Sequence, residues 1–269
     1  MNMRVKELVI IKGAGDLATA VGHKLFRSGF SVIMTEVSQP TCVRRQVSFA
    51  SAIYEKTWSV EGITAEAGES LEETMQILGK GRIPIIIDPQ CSIQVSLQAP
   101  YLVDAILAKK NTGTKKEDAQ VVIGLGPGFT AGEDVDIVVE TNRGHNLGRI
   151  YFEGSAEADT GIPGDIDGYT QERVLRAPQE GFIRHMKNIG DRVSVSEVIS
   201  FVGEQPVQAG IEGLIRGLIH EGIYVKSGMK IGDVDPRGNF EYVNSISDKA
   251  RNIAGGVLEA IMIKKNGRK

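Results

Sequence analysis

The feature that most constrains this chain is an unbroken apolar strand that runs into a glycine turn and then a helix. Leu8-Val9-Ile10-Ile11 carries no polar alternation, the pattern of a strand covered on both faces of a parallel sheet. Gly13-Ala14-Gly15-Asp16-Leu17-Ala18 follows as a G-x-G-x-x-A turn. Leu17, Val21 and Leu25 then fall at helical spacing, the helix closes at Gly29, and Ser31–Thr35 reads as a second strand ending at Glu36. This context predicts a dinucleotide-binding unit. Gly13 permits the tight turn, Gly15 lets a pyrophosphate approach the backbone, and Ala18 lets the helix pack on the strand. The first helical amides receive the negative charge. Glu36 is placed to accept hydrogen bonds from a ribose diol. Lys12 and Asp16 depart from the ideal, since an acid beside a phosphate is unfavourable unless it caps the helix or meets a cation. A domain of this type without a ligand gives the same pattern.

The reading continues as a doubly wound sheet. Ser70 and Glu73 form a capping box ahead of Met75, Ile77 and Leu78. Ile83–Ile87 is a buried strand closed by Asp88-Pro89, and Pro100 is expected to begin a helix carrying Leu102, Val103, Ile106 and Leu107. Val121-Val122-Ile123 leads into Gly124-Leu125-Gly126-Pro127-Gly128-Phe129. Two glycine turns after two buried strands belong at the carboxyl edge of one sheet, where open α/β folds bind ligands. Gly126 and Gly128 therefore join the candidate site, with a purely structural use equally open. Arg44 and Arg45 could meet a phosphate or carboxylate at that edge, or simply be solvated. His145, after the strand Ile137–Val139, is a candidate general acid or base or an inert loop residue. Cys42 is open to sulfur or selenium chemistry, against the plainer role of a small buried residue.

From about Arg173 helical periodicity fades and short apolar pieces alternate with glycine turns. Gly181-Phe182-Ile183-Arg184 matches Gly213-Leu214-Ile215-Arg216, and Gly190, Val193 and Ile199 meet Gly222, Val225 and Ile231 at the same offset. Each half reads as strand, turn, strand, as in lipoyl and biotinyl carrier domains. The joint, Gly203-Glu204-Gln205-Pro206-Val207-Gln208, has no lysine, so no covalent biotin or lipoate is expected. Ser247 begins a last helix with Ile253, Val257, Leu258 and Ile261 in its stripe, and Lys264–Lys269 reads as a frayed tail. The expected fold is α/β: a Rossmann-like, doubly wound, mostly parallel sheet over 1–165, a barrel-sandwich (lipoyl/biotinyl-like) β module over 170–245, and a final helix over 246–269 packing back on the body.

Charge and composition exclude several classes. Lys and Arg number 31 against 34 Asp and Glu, a net charge of -3, without the basic field of a nucleic-acid binder. Two cysteines and four histidines without ligand spacing argue against a resident metal or a disulfide framework. No leader precedes the first strand, and no apolar run reaches the length of a membrane span. The expectation is a cytoplasmic protein, off the membrane, with room for a homo-oligomer.

The chain resembles the YqeB-type family of the selenium-dependent molybdenum hydroxylase system. The resemblance is carried by Lys12–Ala18, by Glu36 with Val43-Arg44-Arg45, Val47 and Phe49, and by Leu125–Phe129. It continues through Glu140-Thr141 with Arg143-Gly144-His145, Thr160–Gly164, Gly232–Arg237, and Lys249-Ala250-Arg251 with Gly255–Ala260. It implies an accessory protein in the maturation of xanthine dehydrogenase-like hydroxylases, binding a molybdopterin dinucleotide or a related ligand. Its partners would be the client molybdenum hydroxylase or other maturation proteins. The residues themselves leave two alternatives: an NAD-dependent oxidoreductase acting on a small molecule, and a binding protein that senses a nucleotide. Whether any reaction is catalysed is left open.

Overall fold

The computed structural model describes residues 7–267; the leaderless start expected over Met1–Lys6 and the last two residues of the tail lie outside them. The chain forms two compact units, one from Met1–Ser38, Ser48–Asp159 and Ile246–Lys269, the other from Gln39–Val47 and Thr160–Ser245.

The first unit is organised on a nine-stranded sheet. In chain order it uses β1 (Leu8–Lys12), β2 (Ser31–Glu36), β3 (Thr57–Val60), β4 (Ile63–Gly68), β5 (Ile83–Ile87), β6 (Tyr101–Asp104) and β7 (Val121–Leu125). After β8 (Thr130–Ala131) come β9 (Ile137–Val139) and β10 (Ile150–Tyr151), and β11 (Gly154–Ser155) pairs with β8 outside the sheet. The order is β10-β9-β7-β6-β1-β2-β5-β4-β3. β9, β7, β6, β1, β2, β5 and β4 run parallel, while β10 and β3 are antiparallel edges. β1 is buried along its whole length, as its apolar run predicts.

The helices of this unit that precede the second unit in the chain are α1 (Asp16–Arg27), α2 (Ala52–Glu55), α3 (Leu71–Gly79) and α4 (Ile93–Leu97). α1 stops where the sequence places the stop. Gly29 sits at φ +91°, and the Gly29 and Phe30 amides donate back to Phe26 O and Leu25 O, each at 3.1 Å, a glycine-terminated C-cap. Ser70 Oγ caps α3 through the Glu73 amide at 3.2 Å.

In the second unit the strands are β12 (Val174–Arg176), β13 (Gly181–His185), β14 (Arg192–Val193), β15 (Val198–Val202), β16 (Gln205–Gln208), β17 (Gly213–Leu218), β18 (Tyr224–Val225) and β19 (Lys230–Asp235). They form two antiparallel sheets, β12-β19-β17-β14 and β16-β15-β13-β18. The internal repeat governs the pairing: Gly181 faces Val225 while Gly213 faces Val193, so each half lends its short strand to the other. A short helix, α5 (Glu241–Asn244), ends the unit, and α6 (Asp248–Lys265) returns the chain to the first unit, where it lies along α1.

Three expectations are corrected. The fold is not a Rossmann-like doubly wound sheet with a lipoyl/biotinyl-like barrel-sandwich module. Doubly wound sheets carry a helix in each crossover; here β5 reaches β6 through only the five-residue α4, and β6 reaches β7 through one 3-10 turn, Lys116–Asp118. The strand β8 is the sole element between β7 and β9. The result is a large mixed sheet with separate antiparallel sheets. Second, Pro100 begins no helix: Tyr101–Asp104 is β6, fully buried between β1 and β7. Third, Lys264 and Lys265 are not a frayed tail. They are the last turn of α6, and Lys265 Nζ pairs with Glu7 Oε1 at 2.9 Å.

Candidate functional site

The glycine turn closes β1 through backbone geometry. Gly13, at φ +94°, donates its amide to Thr35 O at 2.8 Å. A Cβ there would lie 3.1 Å from Ala105 O, so glycine is required both by conformation and by the close approach of the loop after β6. The Ala14 amide donates to Glu36 Oε2 and the Val37 amide to Glu36 Oε1, both at 2.8 Å. Burial pushes the Glu36 carboxyl above the usual carboxylate range, partly offset by these two bonds. Glu36 thus reaches back to the turn, and a carboxylate holding two amides keeps further acceptor capacity. Gly15 is the N-cap of α1 and offers no side-chain cap, in contrast to Ser70 on α3 and to Ser247, which caps α6 through the Ala250 amide at 3.2 Å. Asp16 and Leu17 form the first turn of α1, with Leu17 turned into the core.

The second glycine turn has a packing explanation of its own. A Cβ on Gly126 (φ +76°) would run into Thr141 Oγ1, and one on Gly128 (φ +107°) would lie 2.6 Å from Lys110 Cα. Glu140 is buried, and its carboxylate accepts from the Thr141, Asn142 and Glu157 amides at 2.7–2.8 Å. It is a clamp on the loop after β9. His145 is exposed in that loop.

Arg44 and Arg45 fall in a different compact unit from this turn. They belong to the second unit, where Arg44 Nη2 donates to Tyr242 O and Ser245 O at 2.9 and 3.0 Å, and Arg45 Nε donates to Leu218 O at 2.7 Å. Cys42 is half-buried in the same unit.

Several residues escaped the sequence reading. Lys12 is buried, its Nζ donating to Thr114 Oγ1 at 2.6 Å and standing 3.4 Å from Asp104 Oδ2, and Thr114 Oγ1 donates to Asp104 Oδ2 at 2.5 Å. This network ties the end of β1 to the loop after β6. Close to it, the buried Cys91 thiol is pushed up to about 12, by burial above all, and is no nucleophile at neutral pH. Lys249, in the first turn of α6, is half-buried, and its ammonium has no hydrogen bond or ion pair with a described residue. Burial holds its ammonium below the ordinary lysine range; Asp16 opposes this, Lys109 and Arg143 reinforce it, and Glu140 opposes it. Arg143 itself grips Asp248 through two bonds of 2.7 and 3.0 Å, and Lys109 pairs with Asp159 at 3.4 Å. Lys249 lies within the sequence Lys249-Ala250-Arg251 that carries the family resemblance, which was the signal available.

Among the described residues no group of three or more His, Cys, Asp or Glu side chains is placed to hold a metal ion, and no helix is long and apolar enough to cross a membrane. The second unit has a cavity of about 260 Å³ lined by Arg45, His185, Met186, Lys187, Asn188, His220 and Glu221.

No family model matches the chain. Over 257 residues it is 48% identical to YqeB of Escherichia coli (strain K12), an uncharacterized protein. The match takes in 96% of this chain and 48% of that protein, so the chain spans about half the length of its curated relative. The identity supports membership of the YqeB-type family. Among solved structures, the product-bound ectoine utilization protein EutE (DoeB) from Ruegeria pomeroyi is 13% identical, with 85% of each chain covered and a TM-score of 0.25. An aspartoacylase family protein from Mesorhizobium loti MAFF303099 is 8% identical, with 84% of each covered and a TM-score of 0.27. TcdA (CsdL) is 9% identical, with 97% of this chain and 89% of that chain covered and a TM-score of 0.34. Likenesses this weak carry neither fold nor activity to this chain.

Proposed function

We propose that the chain is a cytoplasmic accessory protein in the maturation of selenium-dependent molybdenum hydroxylases, and that it binds a nucleotide-bearing ligand of the molybdopterin dinucleotide type. The ligand's phosphates would lie at the carboxyl edge of the first unit, over Gly13-Ala14-Gly15. One observation carries this reading: the uncapped N-terminus of α1 and the half-buried, unpartnered ammonium of Lys249 belong to one charge cluster around Asp16. An uncapped helix start presents amide donors and positive potential, and a desolvated cation without a partner is a cost that an anionic ligand would offset. Glu36 would set the shape of the turn. The family resemblance supplies the maturation role, and the client hydroxylase would be the partner.

Native mass spectrometry of the protein purified from its own cells, followed by release of any small molecule, tests this. A molybdopterin-type nucleotide is the expected result. A bound NAD would replace the maturation role with an oxidoreductase, and a protein saturable by no nucleotide would remove the reading.

A further inference from the structure

The two halves of the internal repeat build the two sheets of the second unit on one plan, but the outer faces of those sheets differ. Phe182 and Arg184 of β13 correspond to Leu214 and Arg216 of β17. The turns correspond as well: the Gly222 amide donates to Ile183 O at 2.9 Å, as the Gly190 amide does to Ile215 O at 2.8 Å. Yet β17 is buried at every residue, whereas on β13 only Ile183 is. Phe182 is 66% exposed where Leu214 is 3% exposed. One strand is covered on both faces, the other on one.

The cover on the β17 sheet is the chain's own segment from Gly238 to Ser245, which includes α5, and it touches the sheet at three places. Gly238 O accepts from Arg192 Nη2 at 3.0 Å. The Phe240 ring lies 2.9 Å from where a Cβ on Gly190 would stand. Tyr242 O accepts from Arg216 Nε at 3.3 Å. By the repeat, Arg192, Gly190 and Arg216 correspond to Tyr224, Gly222 and Arg184 on the bare sheet. There a Cβ on Gly222 would meet nothing within 4 Å. The stretch equivalent to the cover, 206–213, is already used as β16 and the link into β17. The bare face is aromatic. Phe182 pairs with Tyr224, Arg184 with Phe201, and Phe201 with Pro206, and residues paired across an antiparallel sheet share a face. The Phe182 and Tyr224 rings meet edge to face at 5.3 Å, and Arg184 lies over the Phe201 ring at 5.2 Å. Contiguous exposed surface of this kind marks an interaction site, and aromatics with arginine are the side chains that anchor interfaces. Charge narrows the occupant. Arg216 stands 3.5 Å from Asp235, and Arg173 bonds Asp233; the repeat places Gly203 and Phe201 at those two aspartate positions. Arg184 therefore has no acid partner among the described residues, and its counter-charge is left to the occupant. Two copies of this face pressed together would add a second such guanidinium and no carboxylate from these residues, which disfavours a second copy of the chain.

We propose that this face of the β13 sheet is a docking surface for a segment of a partner protein that repeats the chemistry of the missing cover: an aromatic side chain lying over Gly222 beside Tyr224, and a carboxylate meeting Arg184. The surface belongs to the second unit alone and stands or falls independently of the ligand proposed for the first.

The probe is a displayed library of random peptides selected against the full chain, with the enriched peptides then synthesised and titrated by calorimetry. Phe182→Ser and Arg184→Gln alter exposed side chains and leave the core in place. Val95→Ser, on an exposed residue of α4 in the first unit, is the control. The surface predicts enriched peptides that combine an aromatic residue with an acidic one. Their affinity should fall at least tenfold in both face variants and stay at the parent's value in Val95→Ser. No enrichment, enriched peptides lacking either group, or affinities untouched by both face variants would overturn the proposal. So would dimerisation of the chain in sedimentation equilibrium that Phe182→Ser abolishes, since the occupant would then be a second copy.

Discussion

On β19 of the second unit, Asp233 and Asp235 are buried and each meets arginine. Arg173 bonds Asp233, Arg237 reaches Asp235 at 2.6 and 2.9 Å, and Arg216 stands 3.5 Å from Asp235. Burial, helped by the charge of Arg44, lowers Arg216 to about 10. In the first unit, Lys12, Asp104 and Thr114 make a similarly closed group. Lys249 differs, because it is desolvated and surrounded by charge yet joined to no described residue. Closed networks hold a fold in register and are damaged by losing a member. An open cation adds little to the fold and is the kind of group that the proposed anionic ligand would compensate.

Asp235→Ala should have the largest effect. It takes the carboxylate from the buried Arg216 and is expected to cost about 3–5 kcal/mol, read as a lowered urea midpoint; an unmoved midpoint would remove the contrast from the second unit's side. Next comes Gly13→Ala, which places a Cβ at φ +94° and 3.1 Å from Ala105 O. About 1–3 kcal/mol is expected, together with loss of nucleotide binding, so full affinity in a destabilised variant would detach the turn from the ligand. Glu36→Ala leaves the buried Ala14 amide without its acceptor, for about 1–3 kcal/mol in the same denaturation assay and weaker nucleotide binding.

Lys249→Met should be the mildest in stability, about 0.5 kcal/mol or less at neutral pH, while weakening nucleotide binding at least tenfold. Its pH signature has a definite sign. The folded-state ammonium titrates below the ordinary 10.5, so between the two values the unfolded chain binds more protons and stability rises with pH. The parent should gain stability relative to Lys249→Met as pH climbs toward that value. Parallel pH profiles would mean that Lys249 is not desolvated in solution.

Local punctuation made the start of the first unit legible: β1, the turn, α1 and β2 are each bounded by a glycine or an acid that has a physical task. The α6 cap at Ser247 was legible for the same reason. β6 was not, because Leu102, Val103, Ile106 and Leu107 imitate helical spacing; the chain leaves the sheet through the left-handed Leu107 (φ +60°) and Lys109 (φ +64°), conformations that the spacing does not announce. The β3–β4 hairpin hides in Glu61-Gly62, where both residues have positive φ. Sheet order is not a local property, so the Rossmann-like expectation could not be tested from spacing. Arg44 and Arg45 follow Glu36 closely in the chain but fall in the other compact unit. Lys249 needed the opposite step, since Asp16, Lys109, Glu140 and Arg143 reach it from distant parts of the sequence.

The central claim is that the nucleotide-bearing ligand occupies the carboxyl edge of the first unit. Hydrogen–deuterium exchange of the full chain with and without a millimolar dinucleotide tests it most directly. The account predicts slowed exchange over Gly13–Thr19 and Lys249–Ile253, with the turns at 185–188 and 218–221 unchanged. Slowing confined to those two turns, or none at the glycine edge, would contradict it.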